Sequence, residues 1–178
     1  MEPNSAAFDT ERLTFRLPGE GELEAACAVW SDPDVVRYVG GKPFGREEVW
    51  TKILRGLGMW HALGYGYWAV RERSTGAYVG EVGFADFHRD MVPSIEGVPE
   101  GGWVLAKAFH GRGFATEAVT AALGWLDRHV PASRSVCIID GGNLASRRVA
   151  AKCGYVPVTE TAYKGTPVTL FERPSPRR

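Results

Sequence analysis

The sequence predicts an α+β fold, a mixed sheet with helices packed on it. Three observations lead there. Runs whose apolar residues alternate, as strands require, are interleaved with segments whose apolar residues recur every three or four positions, as helices require. Their order is mixed: a strand, two helices, a series of strands, then strand, helix, strand, helix and a closing pair of strands. The chain has 178 residues, 44% of them hydrophobic, which suits a single core in a single domain spanning residues 1–178. Loose tails are expected at about 1–7 and 174–178.

The first strand is RLTFRL at 12–17. GELEAACAVW follows with helical spacing and stops near Ser31, Asp32 and Pro33. A longer helix is predicted over 46–63, where Val49, Ile53, Leu57 and Trp60 fall on one face. GYWAVRE and AYVGEVGFADF are β-rich and separated by Ser74, Thr75 and Gly76, a hairpin signal. Residues 88–99 form a loop long enough to suggest a role beyond connection. GGWVLAK is the next strand. A helix with Ala115, Ala118, Val119, Ala122 and Leu126 on one face comes after it. SRSVCII is a short buried strand, NLASRRVAAKC a helix capped by Asn143, and YVPVTETAY with TPVTLFER a closing antiparallel pair.

Composition narrows the function. Lys and Arg total 21 against 21 Asp and Glu, which gives no electrostatic basis for a nucleic acid or an anionic membrane as partner. The three cysteines, Cys27, Cys137 and Cys153, are far apart among apolar neighbours. They read as free thiols of a reducing compartment, with no metal-site spacing, so a cytoplasmic protein without a metal is expected. The beginning of the sequence has no apolar core of signal-peptide type.

The stretch FHGRGFATEAV at 109–119 carries the strongest chemical signal. Gly111 and Gly113 allow backbone conformations closed to other residues and let a ligand approach the chain. The amides that open the following helix have no intrahelical partner and lie at the positive end of its dipole. Arg112 adds a permanent charge suited to phosphate oxygens. Taken alone, the stretch is either a glycine turn or a seat for a diphosphate. It is not a Walker loop, which needs Gly-Lys-Ser/Thr, nor a dinucleotide fingerprint, whose third glycine would stand at Thr116.

In HGRGFATEA the chain resembles the acetyl-CoA pyrophosphate loop of the GNAT acetyltransferases, and in particular the branch of ribosomal-protein N-terminal (Rim-type) acetyltransferases. TERLTFR at 10–16, EGGWVL at 100–105 and NLASRRVAAKCGY at 143–155 are similar to further segments of that branch, in the same order. His110 replaces a tryptophan usual there and Arg112 a lysine. The resemblance implies a six- to seven-stranded, mostly antiparallel twisted sheet flanked by about four helices, acting as a monomer or homodimer. It implies an N-acetyltransferase that passes the acetyl group of acetyl-CoA to a primary amine by direct attack in a ternary complex. The first acceptor it suggests is a protein or peptide amino terminus; the alternatives are a small amine (an antibiotic, polyamine or amino acid) and a non-catalytic CoA-binding module.

The implied cofactor-binding residues are His110, Gly111, Arg112, Gly113, Phe114, Ala115 and Thr116 around the pyrophosphate, with Val104, Leu105 and Asn143 along the pantetheine arm. A backbone N–H near Leu105 would polarise the thioester carbonyl. The tyrosine that protonates the leaving thiolate in many members is Ala150 here, and Ser146 stands where the branch places its substitute. Glu100 is the first candidate for the base, with Glu81, Asp86 and His88 as competitors. Trp30, Tyr38, Trp50 and Trp60 lie in the region that walls the acceptor site in this family, or else belong to the core. Asp90 and Glu96 are acidic loop residues that would attract a cationic amine or simply face water.

Overall fold

A computed structural model describes residues 6–176. Eight strands make one sheet in the order β1-β2-β3-β4-β5-β6-β8-β7. They are β1 (Phe8–Asp9), β2 (Leu13–Arg16), β3 (Tyr67–Glu72), β4 (Tyr78–Ala85), β5 (Glu100–Leu105), β6 (Arg134–Asp140), β7 (Val156–Tyr163) and β8 (Thr166–Pro174). Five α-helices accompany them: α1 (Leu23–Trp30), α2 (Pro33–Val36), α3 (Arg46–Leu63), α4 (Phe114–His129) and α5 (Leu144–Lys152). The predicted class and nearly every predicted element are present. The extra strand is the two-residue β1, and the extra helix is the single turn α2, started by Asp32 accepting from the Asp34 amide at 2.9 Å. Both are shorter than the window in which periodicity can be read.

Ala6 is not part of a loose tail. It is buried, and its carbonyl accepts from Trp68 Nε1 at 2.6 Å. The rest of the expected N-terminal tail up to residue 5, and residues 177–178, lie outside the described residues; β8 runs on to Pro174.

Neighbouring strands are antiparallel except β5 and β6, which run parallel. That junction positions the site. β5 and β6 pair only at Glu100 and Val136, with the Val136 amide donating to Pro99 at 3.0 Å. Past that point the two strands separate, and a wedge-shaped gap opens towards the C-terminal end of each.

The main core lies between the sheet and α4, whose Phe114, Ala118, Val119, Ala122, Leu123, Trp125 and Leu126 are buried. Each large side chain among them contributes roughly 1.5–3 kcal/mol of burial. Trp60, Trp68 and Trp125 meet edge to face, with centroids 4.8 to 5.2 Å apart. A second cluster, Ala26, Trp30, Val36, Val49 and Ile53, packs with Tyr78 and Val104 and joins α1–α3 to the sheet. β5 therefore divides its residues by parity: Trp103 and Leu105 pack with the α4 core, Val104 with the α1–α3 cluster.

Candidate active site

The glycine stretch leaves β5 through a turn at Lys107–Phe109 and enters α4 at Phe114. Gly111 (φ 73°) and Gly113 (φ 80°) are both left-handed, a conformation that disfavours any residue with a Cβ. The first backbone bond of α4 runs from the Glu117 amide to Gly113 at 3.1 Å. The amides of Gly113, Phe114, Ala115 and Thr116 therefore precede the helical ladder, and those of Gly111 and Arg112 have no backbone acceptor among the described residues. Six backbone donors along one tight loop, at the positive end of a helix, are chemically suited to an anion.

Two side chains of this stretch act differently from expectation. The Arg112 guanidinium is already paired with Glu72 at 2.9 Å and lies over the Phe114 ring, so this residue offers the loop its amide rather than its charge. His110 Nε2 is 2.9 Å from the Leu105 carbonyl oxygen; that nitrogen carries a proton and donates, locking the loop to the end of β5. Arg12 secures the other side. It binds Glu117 at 2.6 Å and donates to the Arg112 carbonyl at 3.1 Å.

The ladder decides which main-chain groups of β5 face the gap. The Ala106 amide donates to Val79 at 2.8 Å, and the register pairs Glu81 with Val104 and Gly83 with Gly102. Alternation then turns the amides and carbonyls of Val104 and Gly102 towards β4, and those of Gly101, Trp103 and Leu105 towards β6. Val104, expected on the cofactor arm, is thus committed to the sheet. Trp103, which the sequence reading passed over, presents a free edge in the gap beside Leu105. Parity in a strand is invisible until its partner is known.

On the opposite rim, α5 begins just beyond β6. Asn143 caps it, accepting from the Ser146 amide at 3.1 Å, so its side-chain NH₂ is left to donate elsewhere. The half-buried Ser146 has no side-chain partner among the described residues. Ala150 is fully buried in the core. The segment 33–41 joins the two rims: Asp34 pairs with Lys107, and Tyr38 packs where a Cβ on Gly142 would lie 3.1 Å from its ring.

The acidic candidates separate clearly. Glu100 is buried at the narrow end of the gap, and both of its oxygens accept from Arg89, from Nε at 2.6 Å and from Nη2 at 2.8 Å. The Arg89 guanidinium is held in turn between the Phe87 and Tyr163 rings, 4.6 and 4.5 Å from their centroids. Glu81 is ion-paired with Lys52 at 3.4 Å. Asp86 organises the loop instead, accepting from the amides of His88 at 3.1 Å and Gly97 at 2.8 Å. His88 is exposed and pairs with Glu96, while Asp90 faces water. Of the four aromatics, Trp30 is core and Trp60 packs against the tryptophan cluster; Trp50 packs on the α1–α3 cluster, and Tyr38 alone stands at the gap.

Among the described residues no group of His, Cys, Asp or Glu is arranged to hold a metal ion, and no helix is long and apolar enough to cross a membrane.

Residues 12–156 match the acetyltransferase (GNAT) domain. The uncharacterized protein YkkB of Bacillus subtilis (strain 168) is 31% identical over 173 residues, 93% of this chain and 94% of that protein. A protein from Bordetella pertussis assigned to the GnaT family of acetyltransferases superposes with a TM-score of 0.83 at 29% identity, over 94% of this chain and 98% of its own. The ribosomal L7/L12 alpha-N-protein acetyltransferase RimL, solved in complex with coenzyme A, shares the fold at 17% identity. Its TM-score is 0.74, over 93% of this chain and 95% of that one.

Proposed function

The chain belongs to the GNAT acetyltransferase family, and from that premise we propose that it transfers the acetyl group of acetyl-CoA to a primary amine that is not part of a polycation. The observation that carries the cofactor half is the gap between β5 and β6, bordered by a loop of unpaired amides. The amides of Gly111 to Thr116 hold the diphosphate. The pantetheine arm, itself rich in amides, lies along the free edge of Trp103 and the Leu105 amide like an added strand, with the Asn143 NH₂ on the other side.

Bound acetyl-CoA supplies an activated thioester; the chain supplies polarisation and protons. The Trp103 and Leu105 amides point to where negative charge develops on the acetyl oxygen. Ser146 gives a proton to the leaving thiolate and takes one back from water, and the proton that the amine nitrogen sheds as the amide forms passes to water. Glu100 holds Arg89 at the apex of the gap and is not the base, because a carboxylate whose two oxygens are both engaged by a guanidinium is a poor proton acceptor.

The acceptor class follows from charge. On the sheet face beside the gap, Glu81 and Glu100 are neutralised by Lys52 and Arg89. Arg55, over the Phe87 ring at 5.1 Å, has no carboxylate partner among the described residues. Such a surface repels a polyamine and accepts a single amine, as at a peptide amino terminus or on an amino acid. An amine panel with acetyl-CoA and a free-thiol readout tests this. Turnover of peptides or amino acids above spermidine is expected. Spermidine as the best substrate would refute the acceptor class, and CoA binding without turnover on any amine would make the protein a binding module.

A further inference from the structure

Tyr67, Gly83 and Gly102 stand in one row across three strands, Tyr67 opposite Gly83 in β3 and β4, and Gly83 opposite Gly102 in β4 and β5. Gly83 leaves room for the β3 backbone, the Gly66 carbonyl oxygen 2.3 Å from where its Cβ would lie, and Gly102 leaves room for the tyrosine side chain itself. A Cβ on Gly83 would fall 2.4 Å from the Tyr67 Cα, and a Cβ on Gly102 would fall 2.1 Å from the Tyr67 hydroxyl oxygen. With no side chain at either position, the phenol ring lies flat across β4, and its hydroxyl ends on β5. The residue that follows Gly102 is Trp103, whose amide faces the gap.

That hydroxyl has no hydrogen-bond partner among the described residues. No fully buried side-chain nitrogen or oxygen there lacks one. The phenol oxygen therefore keeps some exposure, and it does so on the sheet face above Gly102, on the strand that borders the gap. Its surroundings keep it neutral. Burial first, then the charges of Glu100 and Glu81, push its ionisation far above the ordinary range for tyrosine, against a smaller opposite effect of Arg89 and Arg55.

Resting on the acetyl-transfer reading, we propose that Tyr67 is a substrate-contacting residue whose hydroxyl oxygen accepts a hydrogen bond from the attacking amine and orients it beside Trp103. The hydroxyl keeps its own proton throughout, and no bond to it forms or breaks. It lies on the sheet face that carries Glu100 and Glu81, the face whose charge was read above for the acceptor. A neutral oxygen is the group that suits a neutral amine there, since a charged one would hold the amine as ammonium.

Tyr67→Phe keeps the ring and removes only the oxygen. Under this assignment kcat/KM for the amine falls about tenfold or more, the effect of one hydrogen bond lost at a reacting centre. The acetyl-CoA Kd measured by calorimetry and the thermal midpoint stay at wild-type values, whereas a merely structural role would move the midpoint and leave kcat/KM per folded molecule alone. An active wild type with an equally active Tyr67→Phe overturns the role of Tyr67 only. A wild type that turns over no amine overturns the acetyl-transfer reading and this assignment with it.

Discussion

Arg89 grips Glu100 at two points, Nε to Oε2 at 2.6 Å and Nη2 to Oε1 at 2.8 Å, where β5 and β6 part. Glu100 ends the paired part of β5, and Arg89 comes from the loop over it. The pair therefore joins the 86–99 loop to the apex of the gap.

Breaking that pair leaves a buried charge without its partner. Glu100→Gln is expected to lower stability by about 3 kcal/mol, read as a lower thermal midpoint. The acid limb of the kcat–pH profile is expected to keep its midpoint, because Glu100 does not take the proton. A stable variant that has lost this limb would make Glu100 the base after all.

Ser146→Ala removes a hydroxyl that holds nothing else in place. A roughly tenfold to hundredfold fall in kcat is expected if it is the general acid, with no change in melting. A wild-type rate would leave water as the proton source for the thiolate.

Glu117 gives the fold an acid-sensitive joint. Burial alone would raise its carboxyl, but Thr10 Oγ1 at 2.6 Å and Arg12 outweigh that and hold it below the usual carboxylate range. A carboxyl depressed in the folded state adds stability above its unfolded pKa, and that stability is lost as pH falls through the folded one. Chemical denaturation as a function of pH should show the wild type losing more stability than Glu117→Gln below about pH 4. Parallel curves would show that the contacts carry no net stabilisation.

What was legible in the sequence was local. The bounds of α3 could be read from 46 to 63 because an amphipathic repeat and its end signals lie within the segment itself. Gly111 and Gly113 announced a left-handed loop because only glycine takes those angles cheaply. What escaped was relational. The Arg89–Glu100 clamp spans a loop, the Tyr67–Gly102 contact crosses three strands, and the exchange of Val104 for Trp103 at the gap is a matter of parity. Arg112 looked free because its partner, Glu72, is 40 residues away in sequence. No short-range pattern encodes such pairs; they exist only once the sheet has formed.

The central claim is that the loop at 111–116 seats the diphosphate of acetyl-CoA, and calorimetry with Gly113→Val tests it most directly. Valine is strained at φ 80° and would turn the loop amides away, although the nearest atom to a Cβ there, Arg12 Nη2, is 3.6 Å off, so the fold has room for it. Expected is a wild type that binds acetyl-CoA and a Gly113→Val variant that shows no binding heat while keeping a native circular dichroism spectrum. Equal affinities in the two proteins would contradict the account.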